Sequence, residues 1–207
     1  NVLCKVVEHI FKMLNETKKE TTVFEYTKTL QKKINSDLDS ISYIDKKVKD
    51  KMKNVVFTLV GTLEEYLNES INIAYCHGDF HQGNILSDEE NYWILDWEYS
   101  GYKQIGYDLF ILLLESRIEN GFSDRFYKLM NNKFDRNQME LINNWPGINW
   151  KDKALKKIYL TIFLLEDIYF HIDENNNNIF YKDVNIFADY CLELDKIVYH
   201  TNWTIYG

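Results

Sequence analysis

An aspartate, an asparagine and a second aspartate stand close together in this chain, at Asp79, Asn84 and Asp96. Asp79 and Asn84 belong to the run His77-Gly-Asp-Phe-His-Gln-Gly-Asn84, and Asp96 ends the apolar run Tyr92-Trp-Ile-Leu95. Moving a phosphoryl group from a nucleotide asks a protein for position and charge stabilisation more than for covalent work. It needs oxygen ligands for Mg²⁺ across the phosphates. It also gains from a carboxylate that orients the attacking hydroxyl and accepts its proton. One amide oxygen and two carboxylates supply such a set. Gly78 and Gly83 let the backbone bend so that Asp79 and Asn84 face one cavity.

A hairpin must then bring Asp96 back beside Asn84. Residues 84–86 and 92–95 read as two short strands joined by the polar turn Ser87-Asp-Glu-Glu-Asn91, the one clear β element. The flanks read as helix. Leu3, Val6, Val7, Ile10, Phe11 and Leu14 share one face. A weaker helix follows from Phe24 to Ile34. Ile44, Val48, Met52, Val55, Val56, Leu59, Leu63 and Tyr66 form a long apolar stripe, with Lys46, Lys47, Lys49 and Lys51 on a solvated side. Downstream, 108–118 is strongly apolar, and Leu155 to Tyr169 and Val184 to Val198 carry helical spacing. Trp145-Pro146-Gly147 interrupts the helices, and Asn175 to Asn178 reads as a loop. The expected fold class is mainly α with a small β-hairpin (α+β), in a single unit spanning 1–207. That unit divides into a helical 1–72, a site-bearing 73–106 and a helical 107–207.

Composition narrows the partners. The 207 residues are 45% hydrophobic and 15% aromatic with one Pro, which suits long helices around a real core. A formal charge of −8 disfavours nucleic acid, whose binding starts from Lys and Arg on phosphates, and permits a cationic small molecule. Three scattered cysteines without a CxxC pair fit a reducing cytoplasm. The longest aliphatic-aromatic run, Leu109 to Leu114, is far short of the ~18 residues of a membrane span.

The motifs His77-Gly-Asp-x-x-x-x-Asn84, Ile94-Leu-Asp-Trp-Glu98 and Gly101-x-x-x-x-Gly106-Tyr-Asp108-Leu109 together resemble the aminoglycoside phosphotransferase / choline kinase family, a branch of the protein-kinase-like fold. The match covers 77–109. It implies Asp79 as catalytic base, Asn84 and Asp96 as Mg²⁺ ligands, and His77 and Asp108 as structural supports of the catalytic loop. It implies a kinase-type phosphotransferase that uses ATP or GTP and acts on an alcohol group of a small, cationic acceptor, aminoglycoside-like or choline-like. On this resemblance 107–207 becomes the acceptor-side subdomain. The chain is similar to the C-terminal lobe alone. The family's small N-terminal β-lobe, with its glycine-rich loop and lysine, has no counterpart here: no G-x-G-x-x-G occurs and 1–72 reads as helix. The nucleotide site then needs an N-terminal lobe supplied from outside this chain.

Other readings compete. Glu98, Trp97 and Tyr99 are candidates for substrate contact or for support of the metal ligands. Glu166, Asp167, Asp173 and Glu174 are expected on a solvated helix face rather than against an acceptor. Trp203 and Tyr206 either cap a pocket or fray. Cys76, His77 and His81 would suit zinc and a hydrolase, although the glycines argue against one helix face. A non-catalytic or split kinase-like binding module is the remaining alternative.

Overall fold

The computed structural model describes residues 2–88, 91–118, 121–177 and 184–200. Two antiparallel sheets position everything that follows. The larger has the order β1-β2-β5, with β1 at Lys19–Thr22, β2 at Ser70–Cys76 and β5 at Gly101–Gln104. The smaller pairs β3, Ile85–Ser87, with β4, Tyr92–Ile94. Cys76 faces Gly101 across the β2–β5 ladder and Ile85 faces Ile94 across β3–β4.

The helices are α1 (Val2–Thr17), α2 (Val23–Ser40), α3 (Lys46–Gly61), α4 (Tyr107–Leu114), α5 (Phe122–Met130), α6 (Arg136–Asn144), α7 (Lys153–Asn177) and α8 (Val184–Asp195). A single π turn follows at 196–200. Helix starts follow side-chain chemistry: Thr22 caps α2 by accepting from the Glu25 N–H, and Asp135 and Gln138 form a reciprocal cap on α6. The 25-residue α7 packs against α2, α3 and β5. Its Phe163 meets Tyr107 and Phe110 of α4 at ring distances of 5.7 and 5.1 Å. On α1, Val6, Val7, Ile10 and Leu14 are buried, which is the apolar face the spacing requires.

The architecture is mostly helical with small antiparallel sheets. It departs from the sequence reading in three places. The hairpin is not the one β element, because β1, β2 and β5 form a second sheet. Consequently 1–72 is not helical throughout. β1 reads Lys-Glu-Thr-Thr, with no apolar alternation to betray it; it exists by pairing with β2. Nor do Asn175, Asn176 and Asn177 form a loop; they continue α7. Asn175 is buried, accepts from the Tyr43 hydroxyl and donates to His171 O at 2.7 Å, and Asn176 donates to Asp37 O at 3.0 Å. These tertiary bonds override the polar composition. Asn178, Trp203 and Tyr206 lie outside the described residues.

Candidate active site

Residues 77–100 leave the large sheet at Cys76 and return to it at Gly101, so the β2–β5 pair closes the base of this excursion. The β3–β4 pair closes it again at Ile85 and Ile94. Between the two closures, loop 77–84 and loop 95–100 face each other. Three contacts hold them together. The Leu95 N–H donates to Asn84 O at 2.8 Å. The His77 ring lies 2.7 Å from Leu95 O through Nε2. Gly78 takes φ +89°, and a Cβ there would overlap the Tyr99 carbonyl. Only glycine suits both the left-handed backbone and that approach.

Loop 77–84 is fixed from below. Asp108, fully buried in the first turn of α4, accepts the His77 N–H at 2.8 Å through Oδ2 and the Gly78 N–H at 2.9 Å through Oδ1. Burial pushes its carboxyl up, against the two N–H bonds that favour the charge. His77 Nδ1 accepts the Asp79 N–H at 3.2 Å, so the proton sits on Nε2, which donates to Leu95 O. With both nitrogens hydrogen-bonded, the His77 ring ties the two loops together.

Asp79 is 9% exposed and its carboxylate is well furnished. Oδ2 accepts from the Asn84 amide at 3.2 Å, and Oδ1 takes Arg117 Nε at 2.6 Å. His81 Nδ1 accepts the Gly83 N–H, which leaves Nε2 protonated 3.4 Å from Asp79 Oδ2. The Asn84 amide also donates to Asp79 O at 3.0 Å. Both N–H groups of Asn84 thus go to Asp79, leaving its oxygen for another partner. Asp96 follows Leu95 directly, is exposed and sits at φ 62°, in the left-handed region that Asp tolerates and that clusters at functional sites. An amide oxygen and an exposed carboxylate on adjoining chain segments are hard donors suited to Mg²⁺. Among the described residues no group of three or more His, Cys, Asp or Glu is arranged for a metal. Cys76 is buried with its Sγ toward Ala74 O and Gln104 O, while His77 and His81 are engaged as above. These three do not form a zinc site.

The remaining candidates divide. The Trp97 indole donates to Ile94 O at 2.8 Å and its ring packs 4.5 Å from His77, so it supports the loop while staying partly exposed. Glu98 is exposed. Tyr99 stacks against Phe170 at 4.6 Å and donates to Glu174 at 3.3 Å. Burial, then the Glu174 charge, holds the Tyr99 hydroxyl above its ordinary range.

On α7 the solvated-face expectation fails for Glu166 and Asp167, which are 3% and 0% exposed. Glu166 accepts from Tyr26 and from the Gln104 N–H, and burial raises it to about 7. Asp167 accepts Arg117 Nη1 at 3.1 Å and the Tyr190 hydroxyl at 2.8 Å. Arg117 is the residue that sequence reasoning missed. A signal existed: of 24 basic residues only Arg117, Arg125 and Arg136 are arginine. An arginine amid lysines points to a planar, multidentate role.

The model for the "Phosphotransferase enzyme family" matches residues 18–141, more than half of the chain. The chain belongs to this family. Several curated proteins are similar to parts of it. "Probable choline kinase 3" of Arabidopsis thaliana is 40% identical over 52 residues, 24% of this chain and 15% of that protein. "Probable choline kinase 2" of the same plant is 48% identical over 53 residues, again 24% and 15%. "Protein LicA" of Haemophilus influenzae is 23% identical over 128 residues, 50% of this chain and 38% of LicA. The chain therefore spans well under two thirds of the length of each. No solved structure matches. The match over 18–141 shows the family; the two plant relatives carry choline kinase in their names, each over about a quarter of this chain.

Proposed function

We propose that this chain is the C-terminal lobe of a kinase-like enzyme that moves the γ-phosphoryl group of ATP (or GTP) to a hydroxyl of a small cationic acceptor, a choline-like amino alcohol before an aminoglycoside-like sugar. The observation that carries the reading is the double closure of residues 77–100. It puts Asp79 and Asn84 on one loop and Asp96 on the loop that faces it, and this supports the reading. In this reading Asp79 is the base: nearly buried, it orients the acceptor hydroxyl and takes its proton. Asn84 and Asp96 hold Mg²⁺, which when bound neutralises charge on the donor phosphates. His77 and Asp108 keep the catalytic loop in place.

Tyr99, backed by the buried Phe170, and the partly buried Glu174 support a cationic acceptor, since an aromatic ring with a carboxylate at its edge suits a desolvated ammonium. The printed names of the two plant relatives favour an amino alcohol. A glycine-rich loop and lysine over the phosphates would come from outside residues 1–207, as would the rest of the nucleotide site.

The test uses the protein as its gene encodes it, purified with Mg²⁺ and ATP or GTP. Release of nucleoside diphosphate is followed with choline, ethanolamine and an amino sugar in turn. Choline-dependent release that stops on Mg²⁺ removal is the expected result. No release with any hydroxylated amine, despite nucleotide binding, would leave a non-catalytic module in its place.

A further inference from the structure

We propose that Arg117, anchored by Asp167, is the positioning residue of the Asp79 carboxylate. The proposal rests on Asp79 being the base of the phosphotransfer reading. Arg117 lies just beyond α4, after Glu115 breaks the helix at φ 44°. Its side chain turns into the site and commits every nitrogen. Nε meets Asp79 Oδ1 at 2.6 Å, Nη1 meets Asp167 Oδ1 at 3.1 Å and Ser116 Oγ at 3.3 Å, and Nη2 meets Gly78 O at 3.3 Å. The guanidinium carbon lies 3.4 Å from the Phe170 ring centre, so the plane is stacked as well as bonded.

Asp167 is itself immobilised. It is fully buried in α7, and its other oxygen accepts from Tyr190 of α8. A continuous path of hydrogen bonds thus runs from α8 through Asp167 and Arg117 to the carboxylate, and a branch reaches the loop backbone at Gly78. Burial disfavours the Arg117 charge, yet Tyr107, Asp167 and Asp79 outweigh it and hold the guanidinium above its ordinary value.

The geometry has a chemical consequence. Arg117 holds Oδ1 of Asp79 while the Asn84 amide holds Oδ2, so the carboxylate is pinned from both ends and its orientation toward an acceptor hydroxyl is fixed. Two carboxylates face one guanidinium, so Arg117 does not make the site cationic. Only a planar fork spans Asp79, Asp167 and Gly78 at once; a lysine ammonium is a point charge and cannot.

The experiment compares Arg117→Ala, Arg117→Lys and Asp167→Asn with the unmodified full-length protein, using steady-state kinetics and thermal melting. Loss of orientation on this scale costs on the order of 10²-fold in kcat. Arg117→Ala should therefore lose about 10²-fold in kcat with the nucleotide KM nearly unchanged. Arg117→Lys, which keeps the charge and much of the volume, should recover only part of that loss. Asp167→Asn should fall between. Low millimolar guanidinium ion added to Arg117→Ala should restore part of the rate by refilling the vacated slot.

An unchanged kcat in a folded Arg117→Ala or Arg117→Lys variant overturns the positioning role. So does a loss confined to KM. If Arg117→Ala does not fold, Arg117→Lys decides by the same kcat criterion. An unmodified protein that transfers phosphoryl to no acceptor overturns the phosphotransfer reading itself, a distinguishable result.

Discussion

At the scale of single residues, the proposed function gives Asp79, Asp96 and Gly78 different duties, and substitutions tell them apart. Asp79→Asn preserves size and one acceptor oxygen but removes the carboxylate that the phosphotransfer reading makes the proton acceptor; its NH2 must face either Asn84 or Arg117, so one of those bonds is lost. Its kcat should fall by about 10²- to 10⁴-fold, the usual span for a positioned base, in a variant that still folds, with a lowered melting temperature. Asp96→Ala acts elsewhere: calorimetric titration should lose the Mg²⁺-dependent part of nucleotide binding, while metal-free binding stays as it was. Gly78 tests the backbone. At φ +89° and in van der Waals conflict with Tyr99 O, a Gly78→Ala chain must distort loop 77–84 or shift the strand-side loop. A destabilisation of more than about 2 kcal/mol in denaturant unfolding is the expected outcome. These side chains were visible in the sequence because their chemistry is local: turn glycines, an amide and two carboxylates within twenty positions. Arg117 stood out only as one of three arginines, with nothing to tie it to the site, since its partners Asp79 and Asp167 lie 38 and 50 positions away. No pattern of neighbouring residues encodes a contact of that range.

At the scale of elements, one helix start serves one loop. α4 places Asp108 in its first turn, where the carboxylate takes two buried N–H groups of loop 77–84. Asp108→Ala strands both donors away from water. The two orphaned groups should cost about 2 to 6 kcal/mol together, whereas Asp108→Asn keeps one acceptor and should cost less. Equilibrium unfolding of the two variants checks the order. The sequence disclosed the elements whose residues repeat with a period: the apolar faces of α1, α3 and α8, and the hairpin β3–β4. It concealed those made by partners. β1 and the Gly101–Gln104 strand β5 carry little apolar alternation and exist because β2 lies between them. The polar end of α7 stays helical because α2 and Tyr43 satisfy its amides. Glu166 and Asp167 looked solvated because acidic pairs usually are. Each is buried because a specific donor set awaits it: Tyr26 and the Gln104 N–H for one, Arg117 and Tyr190 for the other.

At the scale of the whole molecule, the chain carries a formal net charge of −8, yet several ionisable groups in the interior are held away from their ordinary states, and this shapes stability against pH. His171 is 5% exposed, with its ring 3.9 Å from that of Tyr190 and its Nε2 3.9 Å from Asp167. Burial and then the Arg117 charge lower it to about 3 from an ordinary 6.5. A depressed folded value means stability that is complete above the unfolded pKa and lost as pH falls from 6.5 toward 3. Glu166 runs the other way. Burial raises it to about 7 from 4.5, so its contribution is complete below 4.5 and lost as pH rises through 7. Between 4.5 and 6.5 the two oppose each other and flatten the profile. Replacing one therefore exposes the other. His171→Phe keeps an aromatic ring against Tyr190 and removes the group that must gain a proton on unfolding. Relative to the parent, this variant should gain about 2 kcal/mol on going from pH 7.5 to pH 5, because the parent's unfolded state is favoured by that much when its histidine, with a pKa 1.5 units above the solution pH, takes up a proton. Glu166→Gln should instead gain relative to the parent on going from pH 5 to pH 8. Denaturant unfolding of parent and variants at these pH values reads both terms. Parallel parent and His171→Phe profiles would mean that the buried imidazole is already charged in the native state. The bond between Asp167 and Arg117 would then have a third, competing partner.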